Sequence, residues 1–229
     1  MSGCLGRGEP CVIIFDCNGV LVDSEPIAMS VAAEAFRELG LQLTPDVIAR
    51  YFTGRRPADM FADVEAATGL RLPPDFGAYV ARTTLTRLQR ELRPIRHVVH
   101  ALSWLRGPKC VASSSPIDRV RASLECTDLL RFFGPNVFSA THVFAGKPAP
   151  DLFLHVASRV GIAPQDCIVV EDSPAGVTAA TAAGMTAIGF VGGSHAALNL
   201  ASHLTAAGAS AVIADMRALK ATMVQLRGY

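Results

Sequence analysis

Val12-Ile13-Ile14-Phe15-Asp16-Cys17-Asn18-Gly19 is an apolar run that ends on a carboxylate, a carboxamide and a glycine. An uninterrupted apolar run of this length suits a parallel strand buried on both faces. Two further stretches repeat the pattern: Lys109-Cys110-Val111-Ala112-Ser113-Ser114-Ser115 and Ile168-Val169-Val170-Glu171-Asp172-Ser173. In an open α/β sheet, ligands bind just past the carboxyl ends of such strands. Polar tips on three strands can therefore converge on one site. Carboxylates from two of them suit a hard cation, and the serines with a nearby lysine suit an oxyanion. That combination points to Mg²⁺-assisted phosphate chemistry.

Working outward, the first strand is followed by Asp23-Ser24-Glu25-Pro26, a helix start with a capping residue and an early proline. Ile27, Val31, Ala35 and Leu39 follow at four-residue spacing, and Gly40 closes the helix. Thr44-Pro45-Asp46 predicts a short helix, and longer helical patterns cover 57–68 and 74–92. No strand candidate interrupts 24–93, so this block reads as an all-helical insertion. From Pro94 onward helices and strands alternate: helices over 97–106, 116–126, 150–160, 175–183 and 216–226, strands over 109–112, 136–139, 168–170, 186–190 and 211–214. Such alternation implies parallel βαβ units. The expected fold is α/β: a doubly wound, Rossmann-like parallel sheet formed by 1–21 and 95–229, with a small all-helical domain, 22–94, inserted after the first strand.

Composition narrows the partners. Half of the 229 residues are hydrophobic and 18% are charged, which excludes a disordered chain. A net charge of +1 offers no basic field for nucleic acid. No apolar stretch approaches the ~20 residues that span a bilayer, and 1–10 lack the apolar core of a signal peptide. The six cysteines, at 4, 11, 17, 110, 126 and 167, contain no CxxC pair and read as reduced core thiols of a cytoplasmic protein. The expectation is a small-molecule partner, neither nucleic acid nor membrane, and a monomer or homodimer.

The first stretch, continued through Val20-Leu21-Val22-Asp23-Ser24-Glu25, resembles the first motif of the haloacid dehalogenase superfamily, in its phosphatase and β-phosphoglucomutase-like branch with a helical cap. Val111-Ala112-Ser113-Ser114-Ser115 looks like the second motif, Gly146-Lys147-Pro148-Ala149-Pro150-Asp151 like the third, and Val170-Glu171-Asp172-Ser173-Pro174-Ala175-Gly176-Val177 like the fourth. Four motifs in the right order are a far stronger signal than any one of them. The resemblance implies that Asp16 is a nucleophile forming an aspartyl-phosphate. It implies Mg²⁺ held by Asp16, the backbone carbonyl of Asn18 and Asp172, with Glu171 in or near the first shell. Lys147 would bind phosphate and balance the acidic cluster. Ser113 would bond a phosphoryl oxygen, helped by the backbone N–H groups of Ser114 and Ser115 and by the helix start at Pro116. Gly19 would let the backbone turn away after the nucleophile.

One position departs from that pattern. Phosphatases of this family carry Asp where this chain has Asn18. That Asp protonates the leaving alcohol and then activates water, and a carboxamide can do neither. Asn18 is compatible with a substitution introduced to silence an enzyme, with a natural slow enzyme or phosphoester-binding protein, or with different chemistry. The dehalogenase branch needs no metal, which Glu171-Asp172 argues against. The phosphonatase branch needs a cap lysine, and 24–93 contain none. A β-phosphoglucomutase-like phosphomutase would carry a histidine within Glu25-Pro26-Ile27-Ala28-Met29, where there is none. The expected activity is Mg²⁺-dependent phosphatase action on a small phosphorylated metabolite, a sugar phosphate or phospho-acid, weakened by Asn18. Tyr51-Phe52-Thr53-Gly54-Arg55-Arg56-Pro57 looks like the substrate-facing cap loop, with Gly54 allowing close approach and Arg55 or Arg56 meeting a second anionic group. His97 and His100 have ligand-like spacing without a third ligand. His142, His155, His195 and His203 belong to no visible constellation, Trp104 reads as core, and the charged run 87–93 as a solvated helix face.

Overall fold

The computed structural model describes residues 12–43, 47–48 and 57–226, with 57–59 described in backbone only. The chain divides into two compact units, one of Ser24–Leu92 and one of the chain up to Asp23 and from Arg93.

The larger unit is built on six parallel strands: β1 (Val12–Phe15), β2 (Lys109–Ser113), β3 (Val137–Ser139), β4 (Cys167–Glu171), β5 (Thr186–Phe190) and β6 (Ala211–Ile213). Their order across the sheet is β3-β2-β1-β4-β5-β6. The chain winds outward from β1 to one edge, then returns to β4 and winds to the other. The switch point therefore lies between β1 and β4, where Val12 pairs with Cys167 and Phe15 with Val170. This is the doubly wound α/β arrangement expected from the sequence.

The strands are continuous apolar runs because both faces are covered. On one face Ile14, Cys110, Ala112, Val169 and Ala187 pack against Leu152, Phe153 and Val156 of the helix Asp151–Val160 and against Val177 and Ala180 of the helix Pro174–Ala182. The alternate residues Ile13, Phe15, Val111, Val170 and Ile188 point the other way by strand geometry and are buried as well. Helices Val98–Trp104, Ile117–Cys126 and Leu219–Leu226 complete this unit together with Leu200–Ala206.

The last of these helices, Leu200–Ala206, was not expected, since seven residues are too few for a helical period to stand out. The terminal helix expected over 216–226 opens as a 3₁₀ turn, Met216–Ala218. Of the described thiols, Cys17, Cys110 and Cys167 are buried and Cys126 is exposed.

The described helices of the unit Ser24–Leu92 include α1 (Glu25–Glu38), α2 (Pro57–Thr68) and α3 (Phe76–Glu91), and no strand lies among its described residues. Ser24 stands at the N-cap of α1 without making a side-chain cap bond there, and proline follows in the first turn. Val31, Ala32, Ala35 and Phe36 form the buried stripe of α1, against Met60 and Val64 of α2 and Phe76 and Val80 of α3. Phe36 and Phe61 both lie against Phe76, with ring centroids 5.0 and 5.2 Å away. The run 87–93 is more than a solvated face. Arg87 bonds Ser30 and Glu34 of α1 at 3.1 and 3.0 Å while gripping Glu91 on its own helix. Thr44-Pro45-Asp46, expected to start a short helix, lie outside the described residues, while Val47 and Ile48 just after them are helical; the loop with Gly54, Arg55 and Arg56 also lies outside.

Candidate functional site

The carboxyl ends of β1, β2 and β4 meet at the switch point, and each presents a polar residue there. Asp16 follows β1 directly and is 7% exposed; Glu171, the last residue of β4, is fully buried. Lys147 reaches between them from the loop before Asp151–Val160. Its Nζ donates to Asp16 Oδ1 at 2.6 Å, to the carbonyl of Ala112 on β2 at 3.0 Å, and to Glu171 Oε1. The ammonium also lies 5.2 Å from the ring centroid of Phe153.

The electrostatics follow from this crowding. Burial alone would lower the Lys147 pKa, but Asp16 and Glu171 outweigh it and hold the ammonium protonated far into the alkaline range. The Asp16 carboxyl is pushed well above the usual range, first by burial and then, against the pull of Lys147, by Glu171 and Asp172. Asp16 and Glu171 share the Lys147 ammonium, and Asp172 adds its negative charge nearby. The surplus negative charge is what a divalent cation would neutralise.

The fourth stretch is built around Glu171. Its Oε2 accepts the backbone N–H and the hydroxyl of Ser173 at 3.1 and 3.0 Å. Ser173 in turn caps the helix Pro174–Ala182 by accepting the N–H of Gly176 at 3.0 Å. Both oxygens of Glu171 are thereby committed, one to Lys147 and one to Ser173. Glu171, expected in or near a metal's first shell, anchors Lys147 in this structure. Among the described residues, no group of three or more His, Cys, Asp or Glu side chains is set to hold a metal.

Gly176 is a glycine because a Cβ there would overlap the Glu171 carboxyl group. In most helix interiors Gly→Ala gains up to about 1 kcal/mol. Here the added methyl must displace the anchor of Lys147, and overpacking costs about 1–3 kcal/mol. Gly176→Ala is therefore expected to lower stability in urea unfolding. A stabilised variant would show that Glu171 has room to move.

Ser113 is completely buried at the end of β2. Its Oγ accepts the N–H of Ser115 at 3.2 Å, which closes the turn. Ser114 is exposed on the same turn. The hydroxyl of Ser115 accepts from Asn18 Nδ2 at 2.9 Å, and its carbonyl accepts from Ser139 Oγ at 2.6 Å. Asn18 is thus tied to the second strand's turn, a contact no spacing in the sequence announces.

Gly19 has φ +73°, and a Cβ there would collide with Asp172 and come within 2.6 Å of His195 Cε1. The sequence assigned His195 no role. In the structure its side chain is 2% exposed and its Nε2 lies 3.0 Å from Asp172 Oδ2. The signal that could have found it is positional: Gly192-Gly193-Ser194-His195 follows β5, on the carboxyl side of the sheet. His97 sits apart from the site. Its Nδ1 lies 3.0 Å from both oxygens of Asp215, the partner that its spacing to His100 did not suggest. Trp104 is half-buried, with Lys220 Nζ 5.6 Å from its ring centroid.

A doubly wound parallel sheet with a buried acid–lysine–acid cluster at its switch point defines a class, the α/β enzymes that work at the carboxyl ends of their strands. The haloacid dehalogenase-like hydrolase family matches residues 12–184. A 6-phosphogluconate phosphatase of Escherichia coli is 31% identical over 184 residues, 80% of this chain and 83% of that protein. A fructose-1-phosphate phosphatase of the same organism is 32% identical over 179 residues, 77% of this chain and 94% of that one. The crystal structure of a haloacid dehalogenase-like protein from Agrobacterium tumefaciens superposes with a TM-score of 0.87 at 37% identity, covering 94% of this chain and 98% of that one. The chain belongs to the haloacid dehalogenase-like hydrolase family. Within it the chain is a phosphoric monoester hydrolase. Among the described residues no helix is long and apolar enough to cross a membrane.

Proposed function

We propose that this hydrolase acts on a small sugar phosphate or related phospho-acid through Asp16, and that Asn18 slows its turnover. The observation that carries the reading is the Lys147 ammonium held between Asp16 and Glu171 at the switch point. An ammonium bonded to the nucleophile's own carboxylate fixes the direction of the other oxygen, Oδ2. It also places positive charge where phosphoryl oxygens arrive. The substrate class follows the two Escherichia coli relatives, whose names specify 6-phosphogluconate and fructose 1-phosphate.

The residues fit a divalent cation, because Asp16, Glu171 and Asp172 together outnumber the one ammonium among them. Asp16, the Asn18 carbonyl and Asp172 would hold Mg²⁺, which when bound draws charge from the phosphoryl group. Asp16 attacks phosphorus, the bond to the leaving oxygen breaks, and the phosphoryl group rests on Asp16 as an acyl phosphate. The leaving alkoxide needs a proton, and the attacking water must later lose one. Asn18 can supply and accept neither. Its side chain donates to Ser115 and serves to hold the turn in place. That bond favours a second reading, a phosphoester-binding protein with little turnover.

Incubating the Asn18→Asp variant with Mg²⁺ and a panel of sugar phosphates and phospho-acids separates the two. The phosphatase reading expects released phosphate from at least one sugar phosphate or phospho-acid. Tight binding by the native chain, with no release from any compound by the variant, would favour the binding protein.

A further inference from the structure

We propose that His195 is a positioning residue for Asp172 and, through it, sets the affinity of the site for a divalent cation. The inference rests on the reading that Asp172 is one of the cation's ligands. Glu171 is fixed by Ser173 and Lys147, and Asp172 is approached from another loop. Its carboxylate meets His195 Nε2 at 3.0 Å, and the imidazole is 2% exposed. An ionised carboxylate oxygen only accepts, so Nε2 carries the hydrogen in this contact.

The surroundings are cut to fit the ring. A Cβ on Gly19 would stand 2.6 Å from His195 Cε1, and one on Gly193 would stand 2.8 Å from the same atom. A Cβ on Gly193 would also stand 3.0 Å from the carbonyl of Gly19, so the two loops approach backbone to backbone. Ser194, beside the histidine, donates its N–H to Asp23 Oδ1 at 3.3 Å. The loop after β5 is therefore keyed into the loop after β1, and the imidazole closes on the carboxylate that follows β4. Packing alone would explain a buried apolar ring here. It does not explain a ring nitrogen aimed at a carboxylate oxygen with glycine on either side.

A group hydrogen-bonded to a metal ligand fixes that ligand's orientation, and its removal typically weakens metal binding 10–100-fold. His195→Phe keeps the ring volume and removes the donor. His195→Gln keeps an amide N–H near the position of Nε2. Calorimetric titration of the full-length protein with Mg²⁺ alone is the measurement, with Asp172→Asn alongside. The expected result is a Mg²⁺ dissociation constant raised about 10–100-fold in His195→Phe and restored to within a few fold in His195→Gln. Should His195→Phe fail to fold, His195→Asn carries the same expectation, because its shorter amide falls short of Asp172. Unchanged Mg²⁺ affinity in His195→Phe or His195→Asn, with binding abolished in Asp172→Asn, overturns the proposal and leaves the metal assignment intact. Unchanged Mg²⁺ binding in Asp172→Asn overturns the metal assignment itself.

Discussion

Asn18→Asp is expected to raise the turnover of alkyl phosphomonoesters by about 10²–10⁴-fold, the usual worth of general acid–base help. The gain is large because one residue is asked to act twice. It protonates the leaving alkoxide, then takes the proton of the attacking water. Asp and Asn differ little in size, and the new carboxylate can accept from the Ser115 hydroxyl that now accepts from Asn18. The fold should therefore tolerate the change, and the rate is the clean readout. The gain should be largest for sugar phosphates, whose alkoxides leave poorly without a proton. It should be smaller for the first step with an aryl phosphate, whose phenolate leaves unaided. Steady-state phosphate release from both substrate types checks this, and equal rates for the two chains would remove Asn18 from the account.

Lys147→Met is expected to cost about 3–5 kcal/mol of stability, the range for removing one partner of a buried ion pair. The ammonium is 4% exposed and answers to two carboxylates, Asp16 and Glu171. Without it Asp16 and Glu171 lose the ammonium that both of them bond. Methionine fills most of the space, so the loss is mainly electrostatic. The sign with pH follows. In the variant the Asp16 carboxyl, already raised by burial and by Glu171 and Asp172, loses the ammonium that opposed the rise, so its folded pKa stands above its unfolded one. The folded state then binds more protons, and stability falls as pH rises through that range. The deficit of Lys147→Met against the native chain should accordingly shrink as pH is lowered toward 4. Phosphate binding should be lost at every pH where the native chain shows it. Urea unfolding across pH, with phosphate titrations, reads both effects, and a pH-independent deficit would mean that packing rather than charge holds Lys147.

The sheet was legible in the sequence because parallel strands covered on both faces carry unbroken apolar runs, as Val12–Phe15 and Cys167–Glu171 do. The Asp16, Lys147 and Glu171 stretches were legible because each sits at the end of a strand or in a distinctive loop. Their exact partnership was not. Sequence gives residue types and not bonds, and only the coordinates place the oxygens of Glu171 on Lys147 and Ser173. The contact of His195 with Asp172 joins the turns that follow two different strands, β5 and β4. It depends on two glycines, Gly19 and Gly193, whose missing side chains leave no pattern. The Asn18–Ser115 bond spans 97 residues for the same reason. Gly54 and Arg55, read as substrate contacts, lie outside the described residues and remain a proposal about the substrate's second anionic group.

The central claim is that Asp16 accepts the phosphoryl group and that Asn18 leaves it there. The native chain, mixed with Mg²⁺ and 4-nitrophenyl phosphate, quenched in acid and digested, should yield one phosphorylated peptide by mass spectrometry. The phosphoryl group should map to Asp16, and its occupancy should fall sharply in Asn18→Asp as water is activated. A phosphoryl group on another residue, or none in either chain while free phosphate is released, would contradict the account.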